Sequence, residues 1–283
     1  MHHFKQLIDE HGSFFQIVFF VFLFVISWNI ETLAGVMVNY RRWQHAFLNA
    51  PFSVTNIPGQ FLLGWALVKT IEWTTHHAFG FLRHLPVHST FSLFLIAFVF
   101  LDFGEYVYHV IMHKVKRLWM FHLVHHSDRV VDASTTLREH PGENMIRLSF
   151  TLVWVFLCGC TLWMLILRQL IQTVTTLFAH LNYRLPDNID KIIGWVFITP
   201  NLHQVHHHYK QPYTDCNYGD VLSVWDRIFG TFKRLPAAYL VFGIDTFMEE
   251  EETNSFPKLV KLPFKKYRKL RDDDMLLDGR VVV

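Results

Sequence analysis

The segment His109-Val110-Ile111-Met112-His113, followed after five residues by Trp119-Met120-Phe121-His122-Leu123-Val124-His125-His126, places five histidines within eighteen residues. The first two are four residues apart and the last three are spaced i, i+3, i+4, so each set occupies one face of a helix. The triplet His203, His206 and His207 repeats the second spacing later in the chain. Because imidazole is the commonest metal ligand in proteins, three such clusters predict a metal site rather than ordinary core or surface histidines.

The composition of the chain indicates a membrane protein. Hydrophobic residues make up 51% of its 283 residues and charged residues only 18%, whereas roughly 25% is usual for soluble domains. The formal net charge of +2 gives no electrostatic reason to expect a nucleic-acid partner. Three cysteines without a CxxC pair argue against a disulfide scaffold and against a cysteine-zinc site.

Three apolar regions predict membrane helices before the second histidine cluster. Residues 14–30 carry no charge and are near the lower length limit for spanning a bilayer, so we expect a retained N-terminal anchor rather than a cleaved signal peptide. Residues 51–71 predict a segment that crosses the membrane or lies in its interface. Residues 89–113 predict a long helix, and the basic residues that follow it place its end on the cytoplasmic side.

A pair of membrane helices is predicted between His140 and His180. The forty steps between them would give about 60 Å of helix, twice the roughly 30 Å of a bilayer core. A turn near Gly159 would place both histidines on the same side, whereas one continuous helix would place them on opposite sides. We therefore predict an all-α, polytopic membrane helical bundle of about four to five membrane helices, with a cytoplasmic histidine-rich cap.

Two acidic residues share a helix face with the first histidine pair. Asp102, Glu105, His109 and His113 follow one another at intervals of three, four and four residues. Ionisable side chains at the edge of a membrane helix are costly and mark functional sites. We interpret Asp102 and Glu105 as partners that orient the ligating imidazoles, with a polar helix-packing pair as the open alternative.

Ten histidines are predicted to hold metal, and their number predicts two ions. A closed structural zinc site takes four ligands and would leave six histidines without a role. Open positions on nitrogen-ligated iron suit dioxygen activation. The residues alone do not decide between iron and zinc, and iron is favoured only if the reaction is one that uses dioxygen. The predicted ligands are His109, His113, His122, His125, His126, His140, His180, His203, His206 and His207.

The spacing of these residues resembles the three histidine boxes of the fatty acid hydroxylase and sterol desaturase superfamily, over about residues 90–235. The resemblance implies an integral membrane enzyme with a cytoplasmic centre of two iron ions. Such an enzyme uses dioxygen and two electrons to hydroxylate or desaturate a C–H position of a lipid, such as a sterol, a fatty acyl chain or an ether lipid. Further segments that carry the resemblance are Arg138-Glu139-His140-Pro141, Phe178-Ala179-His180-Leu181-Asn182 and Asn217-Tyr218-Gly219 followed by Trp225-Asp226.

The resemblance divides the chain into an N-terminal membrane anchor region (1–88), a hydroxylase-like catalytic domain (89–235) and a charged C-terminal tail (236–283).

Neither a CxxCH nor a GxGxxG motif is present, so the sequence shows no site for a bound haem or dinucleotide that could supply electrons. We therefore expect a separate electron donor, either a ferredoxin or a cytochrome b5-like protein with an NAD(P)H reductase. Candidate docking surfaces are the basic tail and Lys114, Lys116 and Arg117.

Two other classes of protein stay open at this point. Histidine richness alone also fits a membrane metal transporter or a non-catalytic metal-binding protein, although transporters place their ligands near the bilayer midplane. A membrane zinc hydrolase would need an HExxH motif, which the sequence lacks. These residues do not separate hydroxylation from desaturation.

Overall fold

The computed structural model describes residues 2–247 and 249–267, so the last part of the predicted basic tail, from residue 268, lies outside the described residues. Within the described residues the regular elements are helical, as the sequence predicts. The α-helices are α1 His2–Ala34, α2 Arg42–His76, α3 Thr90–Lys114, α4 Lys116–His126, α5 Pro141–Cys158, α6 Leu162–Ala179, α7 Asp187–Ile193, α8 Pro200–His206, α9 Val224–Ile228, α10 Glu250–Thr253 and α11 Phe256–Lys261.

Five long helices form a bundle in which α2 packs along α5, α1 along α6, and α3 against α5. The C-terminal ends of α1, α3 and α6 meet the N-terminal ends of α2 and α5 at one end, which we call the histidine pole. Glu31 near the end of α1 accepts hydrogen bonds from the backbone N–H groups of Ala133 (2.8 Å) and Asn182 (2.9 Å). His45 near the start of α2 lies 2.7 Å from Asp128, which follows α4.

The chain reverses at Gly159, between α5 and α6. Gly159 has a φ of 70°, a left-handed conformation that favours glycine at a helix end. A Cβ at this position would lie 2.4 Å from the carbonyl oxygen of Phe79, because the turn packs against the connection between α2 and α3. The predicted hairpin is confirmed, and the start of α5 and the end of α6 lie at the same pole.

Three helical segments are long and apolar enough to cross a membrane: Phe14–Ala34 in α1, Thr90–Lys114, which is α3, and Leu162–Ala179, which is α6. The described chain is therefore a helical membrane bundle. The predicted count of about four to five included the apolar part of α2 and the first leg of the hairpin, α5. Both helices are long enough to span a bilayer but are less apolar. Three segments in the described chain are therefore both long enough and apolar enough to do so.

An apolar core fixes the helix ends that carry the histidines. Leu67 of α2, Leu101 of α3, Val155 of α5 and Leu165 of α6 are buried in one cluster. A second cluster packs α4 beneath the segment that contains α11. Since burial of apolar surface is the main favourable contribution to folding, this packing holds the histidine-bearing ends in a fixed relation.

Candidate metal centre

Nine of the ten predicted histidines come together in two groups at the histidine pole. In each group the candidate ligand atoms lie within 4.8 Å of one another. Seven of the nine side chains are buried, and His109 and His125 are half-buried. The first group consists of His109, His113, His122, His126 and His206, and the second group consists of His125, His180, His203 and His207.

Helix α4 supplies ligands to both groups. It begins after a break at Val115, whose extended backbone ends α3 and lets the chain fold back on it. Neighbouring residues on a helix point about 100° apart. As a result, His122 and His126 face the first group while His125 faces the second.

Helix α8 divides its own histidines in the same way. Thr199 caps its N-terminus by accepting a hydrogen bond from the N–H of Leu202 at 3.3 Å. His206 then joins the first group, while the other two histidines of the triplet join the second. The rings of His126 and His207 are 4.6 Å apart between centroids, so the two groups lie side by side.

Backbone carbonyls set the tautomers of two candidate ligands in the first group. The Nδ1 atom of His109 lies 2.9 Å from the carbonyl oxygen of Tyr218, and that of His206 lies 2.7 Å from the carbonyl oxygen of Cys216. A carbonyl oxygen only accepts, so each Nδ1 carries the hydrogen. In the neutral ring Nε2 is then a lone-pair donor available to a metal ion.

The Nε2 atoms of His109 and His122 face each other. The Nε2 atoms of His109 and His122 are 3.1 Å apart, and the Nδ1 atom of His122 donates to Glu143 at 2.5 Å. When both rings are in their neutral form, as metal ligands are, neither Nε2 carries a hydrogen, so the short distance is then not a hydrogen bond. Two nitrogens that bind one ion at about 2.1 Å and at right angles lie about 3.0 Å apart, so the arrangement fits a shared cation.

The second group shows the same geometry around His180. Its Nδ1 atom donates to the carbonyl oxygen of Thr176 at 2.8 Å, which leaves Nε2 as a lone pair. That Nε2 lies 3.1 Å from Nε2 of His125 and 2.9 Å from Nε2 of His203. The residues of both groups therefore fit a metal ion.

Burial favours the neutral form of six of these imidazoles. Desolvation lowers the pKa of His206 to about 3 and the pKa of His180 to about 4. The Nε2 atoms of His113 and His206 are buried without a hydrogen-bond partner in the described chain, which is costly unless a cation binds there. Desolvation also lowers the pKa well below its usual value for His125, His126, His203 and His207.

His140 does not join either group, contrary to the prediction of ten converging histidines. It is the N-cap of α5, where Pro141 occupies the first helical position. Its Nδ1 accepts a hydrogen bond from the N–H of Gly142 at 2.9 Å, and its Nε2 lies 3.1 Å from the carbonyl oxygen of Val260. Both ring nitrogens are thus occupied by backbone groups.

Asp102 and Glu105 contact no histidine of either group, which corrects their predicted orienting role. Asp102 accepts hydrogen bonds from the backbone N–H of Val221 (3.1 Å) and from the indole of Trp225 (2.8 Å). Glu105 faces Arg168 at 3.5 Å in the middle of the bundle. They share a helix face with His109 but lie one to two turns farther from the pole, where other elements pack.

The sequence profile described as Fatty acid hydroxylase matches residues 94–231. This match, together with the curated relatives, places the region in the fatty acid hydroxylase family. All nine clustered histidines lie within the matched residues, so the family region contains the whole candidate metal centre.

Curated relatives of this family region are lipid hydroxylases and monooxygenases. Ornithine lipid hydroxylase OlsE of Rhizobium tropici is 28% identical over 50% of this chain and 42% of its own length. Alkylglycerol monooxygenase of Homo sapiens is 28% identical over 64% of this chain and 38% of its own length. Cholesterol 25-hydroxylase of Homo sapiens is 26% identical over 52% and 51%, respectively. The chain spans about a third to about half of the length of the curated relatives it matches, and no solved structure gives a significant match.

The matched region also contains two carboxylates that the sequence did not single out. Glu143 contacts His122, and Asp215 lies 3.3 Å from Nδ1 of His113. Glu143 follows His140-Pro141-Gly142 at the start of an apolar helix, so its charge in that position was a usable signal. Asp215 lies in a turn-rich loop, where the sequence gives no indication of which side chain meets a histidine.

Proposed function

We propose that this protein is a membrane non-haem di-iron oxygenase that uses dioxygen and two electrons to hydroxylate or desaturate a C–H position of a lipid. The observation that carries the proposal is the convergence of Nε2 atoms at 2.9 to 3.1 Å within two adjacent imidazole groups. The match to lipid hydroxylases supports an oxygenase over other metalloproteins.

The two groups would hold one iron ion each, with five candidate nitrogens in the first and four in the second. When bound, such a pair of ions supplies the dioxygen chemistry that attacks an unactivated C–H bond, which side chains alone cannot do. The chain holds its imidazoles neutral and orients them through acceptors such as the Tyr218 carbonyl and Glu143. Burial of the groups also excludes bulk water from the reacting position.

A lipid is the substrate class that the surroundings of the centre support. The histidine pole lies at the ends of apolar helices, so a lipid could approach the groups from the bilayer without crossing water. The relatives named for ornithine lipid, alkylglycerol and cholesterol differ in the polar part of the molecule they are named for. We therefore propose a lipid substrate without assigning its head group.

We infer a multi-pass topology with the centre on the cytoplasmic side. Lys114 ends α3 at the histidine pole, and Lys116 and Arg117 begin α4 there. Arg41 and Arg42 lie at the start of α2 at the same pole. An excess of basic residues marks the cytoplasmic ends of membrane helices. A separate ferredoxin or cytochrome b5-like donor would then deliver electrons from this side, where the exposed Lys114, Lys116 and Arg117 could contact it.

Metal analysis and oxygen uptake by the full chain in lipid nanodiscs test the proposal. We expect about two iron ions per chain, as the two ligand groups imply, and oxygen uptake that requires both a reductant and a lipid. The lipid product should gain one oxygen or lose two hydrogens by mass spectrometry. His207→Ala should abolish the uptake, whereas His140→Asn, which preserves a capping side chain outside both groups, should not.

Three results would contradict this function. At most one metal per chain, with no oxygen uptake in the presence of sterol, acyl, ether or ornithine lipids, would leave only a helical membrane protein. Two metals without lipid-dependent uptake would favour the non-catalytic metal-binding alternative. Metal transport into proteoliposomes that is lost in His109→Ala would favour the transporter.

A further inference from the structure

The region around α9 packs along the side of α3 rather than over the end of the bundle. Phe103, within the candidate span Thr90–Lys114, has ring centroids 4.9 Å from Trp225 and 5.8 Å from Phe229. Phe103 precedes His109 by six residues, which is about 9 Å along the helix away from the histidine pole. The α9 region therefore reaches the depth of a membrane-spanning helix.

One buried and one half-buried carboxylate fix this segment between α3 and α6. Asp220 pairs with Arg168 of α6 at 3.2 Å, and the N–H groups of Val221 and Leu222 donate to Asp102 of α3. Non-helical backbone at membrane depth is tolerated only where the protein satisfies its hydrogen bonds. Asp102 and Asp220 thus allow an irregular segment to lie beside the spanning helices.

The outward side of this region is apolar and exposed. Ile192 is 74% exposed and Trp195 is 66% exposed, although both are large apolar side chains. Contiguous exposed apolar surface marks an interaction site, whereas isolated apolar residues are normal. The exposed residues, which we call the apolar edge, are Ile192, Trp195, Val196, Phe197, Ile228 and Phe229.

Hydrogen bonds join the two parts of the apolar edge into one surface. The N–H of Ser223, just before α9, donates to the carbonyl oxygen of Val196 at 2.9 Å. The guanidinium of Arg227 donates to the carbonyl oxygen of Gly194 at 2.7 Å. These bonds connect the segment that follows α7 to α9, so the two parts of the apolar edge form one surface.

A cation and an aromatic ring lie together at this surface. The guanidinium carbon of Arg227 is 4.4 Å from the centroid of the Trp195 ring. Lys191, in the last turn of α7, precedes the exposed Ile192. Tryptophan is enriched at the interface between head groups and acyl chains, and basic side chains there meet lipid phosphates. An exposed tryptophan beside cationic side chains, as at this surface, is therefore typical of contact with lipid head groups.

We propose that the apolar edge is embedded in the bilayer leaflet on the side of the histidine pole, with lipid acyl chains covering it. Lipid is the favoured occupant because the edge continues the exposed apolar surface of α3, where Leu95 and Val99 are also exposed. The histidine-rich cap is thus partly a membrane-inserted structure. This inference depends on the helical membrane fold and not on the metal chemistry.

Spin labels on the full chain in nanodiscs of phosphatidylcholine and phosphatidylglycerol test this placement. Ile192→Cys and Trp195→Cys place labels on the apolar edge, and Glu250→Cys places one on exposed, acidic α10 as a control. Oxygen concentrates in acyl chains and a neutral nickel chelate stays in water. We expect oxygen to relax the labels at 192 and 195 several-fold more strongly than nickel does, with the reverse order at 250.

Two outcomes would overturn the proposal. Relaxation by nickel at 192 and 195 as strong as at 250 would place the edge in water. Shielding from both reagents would mean that protein, such as a second copy of the chain, covers it. Wild-type protein treated with the label measures any reaction at the buried native cysteines 158, 160 and 216. Circular dichroism and thermal unfolding of each labelled variant, compared with wild type, verify its fold.

Discussion

The Nδ1 atom of His122 lies 2.5 Å from Oε1 of Glu143, and both side chains are buried. Because the carboxylate accepts this hydrogen, the lone pair of His122 Nε2 points toward the first group. Nε2 is 3.1 Å from Nε2 of His109 and 3.2 Å from Nε2 of His126. The orientation of a central candidate ligand thus depends on one acidic side chain from a different helix.

Glu143→Gln should weaken iron binding about 10- to 100-fold, because groups that orient a ligating imidazole affect metal affinity by that amount. The amide is similar in size but lacks the negative charge that favours the Nδ1–H tautomer and increases the basicity of Nε2. Iron retained during titration with a chelator, measured by elemental analysis, gives the affinity.

Glu139→Gln is the matched control for that change. Glu139 pairs with Arg147 at 2.9 Å and makes no described contact with a histidine of either group. The same loss of charge one turn away should leave iron affinity within a few-fold of wild type. Equal weakening in both variants would mean that Glu143 acts only through the charge of the region.

His206→Ala and His203→Ala should each lose about one of two bound ions, because the two residues belong to different groups and each group provides ligands for one ion. Elemental analysis gives the number of ions per chain. Loss of both ions in each single variant would show that the groups bind metal as one unit.

His208→Ala is the control for these variants, since His208 follows the triplet directly in sequence but lies outside both groups. Its Nε2 lies 3.2 Å from the carbonyl oxygen of Tyr239. This variant should keep both ions. Metal loss equal to that of His206→Ala would mean that His208 is also needed to hold the metal ions.

Acidification should destabilise the metal-free protein between about pH 6.5 and pH 4. Burial holds the pKa of His180 at about 4 and the pKa of His206 at about 3, below the value of about 6.5 in an unfolded chain. In that interval the unfolded state binds more protons than the folded state, so the free energy of unfolding falls as pH falls. Above pH 6.5 both states are unprotonated at these histidines, and their full contribution to stability is retained. Each such histidine contributes a slope of up to about 1.4 kcal/mol per pH unit.

Thermal unfolding in detergent across this pH range measures the effect. His206→Gln should have a shallower dependence than wild type, because one buried neutral imidazole no longer contributes. A melting temperature that does not change from pH 6.5 to pH 4.5 would show that these imidazoles are accessible to water and not desolvated.

Asp102→Ala should destabilise the fold by about 3 kcal/mol or more, because it leaves the N–H groups of Val221 and Leu222 and the indole of Trp225 without their acceptor, at about 1 to 3 kcal/mol each. The loss should appear as a lower unfolding temperature. Asp187→Ala, at an exposed carboxylate of α7, should change stability by less than about 0.5 kcal/mol. Similar effects in both variants would exclude Asp102 as the anchor of this segment.

Local spacing was sufficient to predict which histidines share a helix. The i, i+3, i+4 spacing of His122, His125 and His126 did predict a helix, and α4 contains all three. The length argument around Gly159 also gave the correct hairpin, because bilayer thickness and helix rise are fixed quantities. These features depend on residues close together in the sequence.

Local spacing did not predict the hydrogen-bond partners of side chains that can reach both neighbouring and distant parts of the chain. His140 is predicted as a ligand from the hairpin and from the segment Arg138-Glu139-His140-Pro141, but its position directly before Pro141 makes it a helix cap. Asp102 shares a face with His109, yet the nearest donors come from residues more than a hundred positions later. Periodicity identifies a face of a helix but not the element that packs against it.

The sequence by itself determined the helical membrane class, the histidine-bearing helices and the chemistry of the ligands, because period, hydropathy and residue type are local properties. Only the tertiary structure decided that nine histidines form two groups, with α4 and α8 each contributing to both. It also decided that Glu143 rather than Asp102 orients an imidazole. The physical reason is that ligand convergence depends on distances between helix ends, and these are set by packing among residues far apart in the chain.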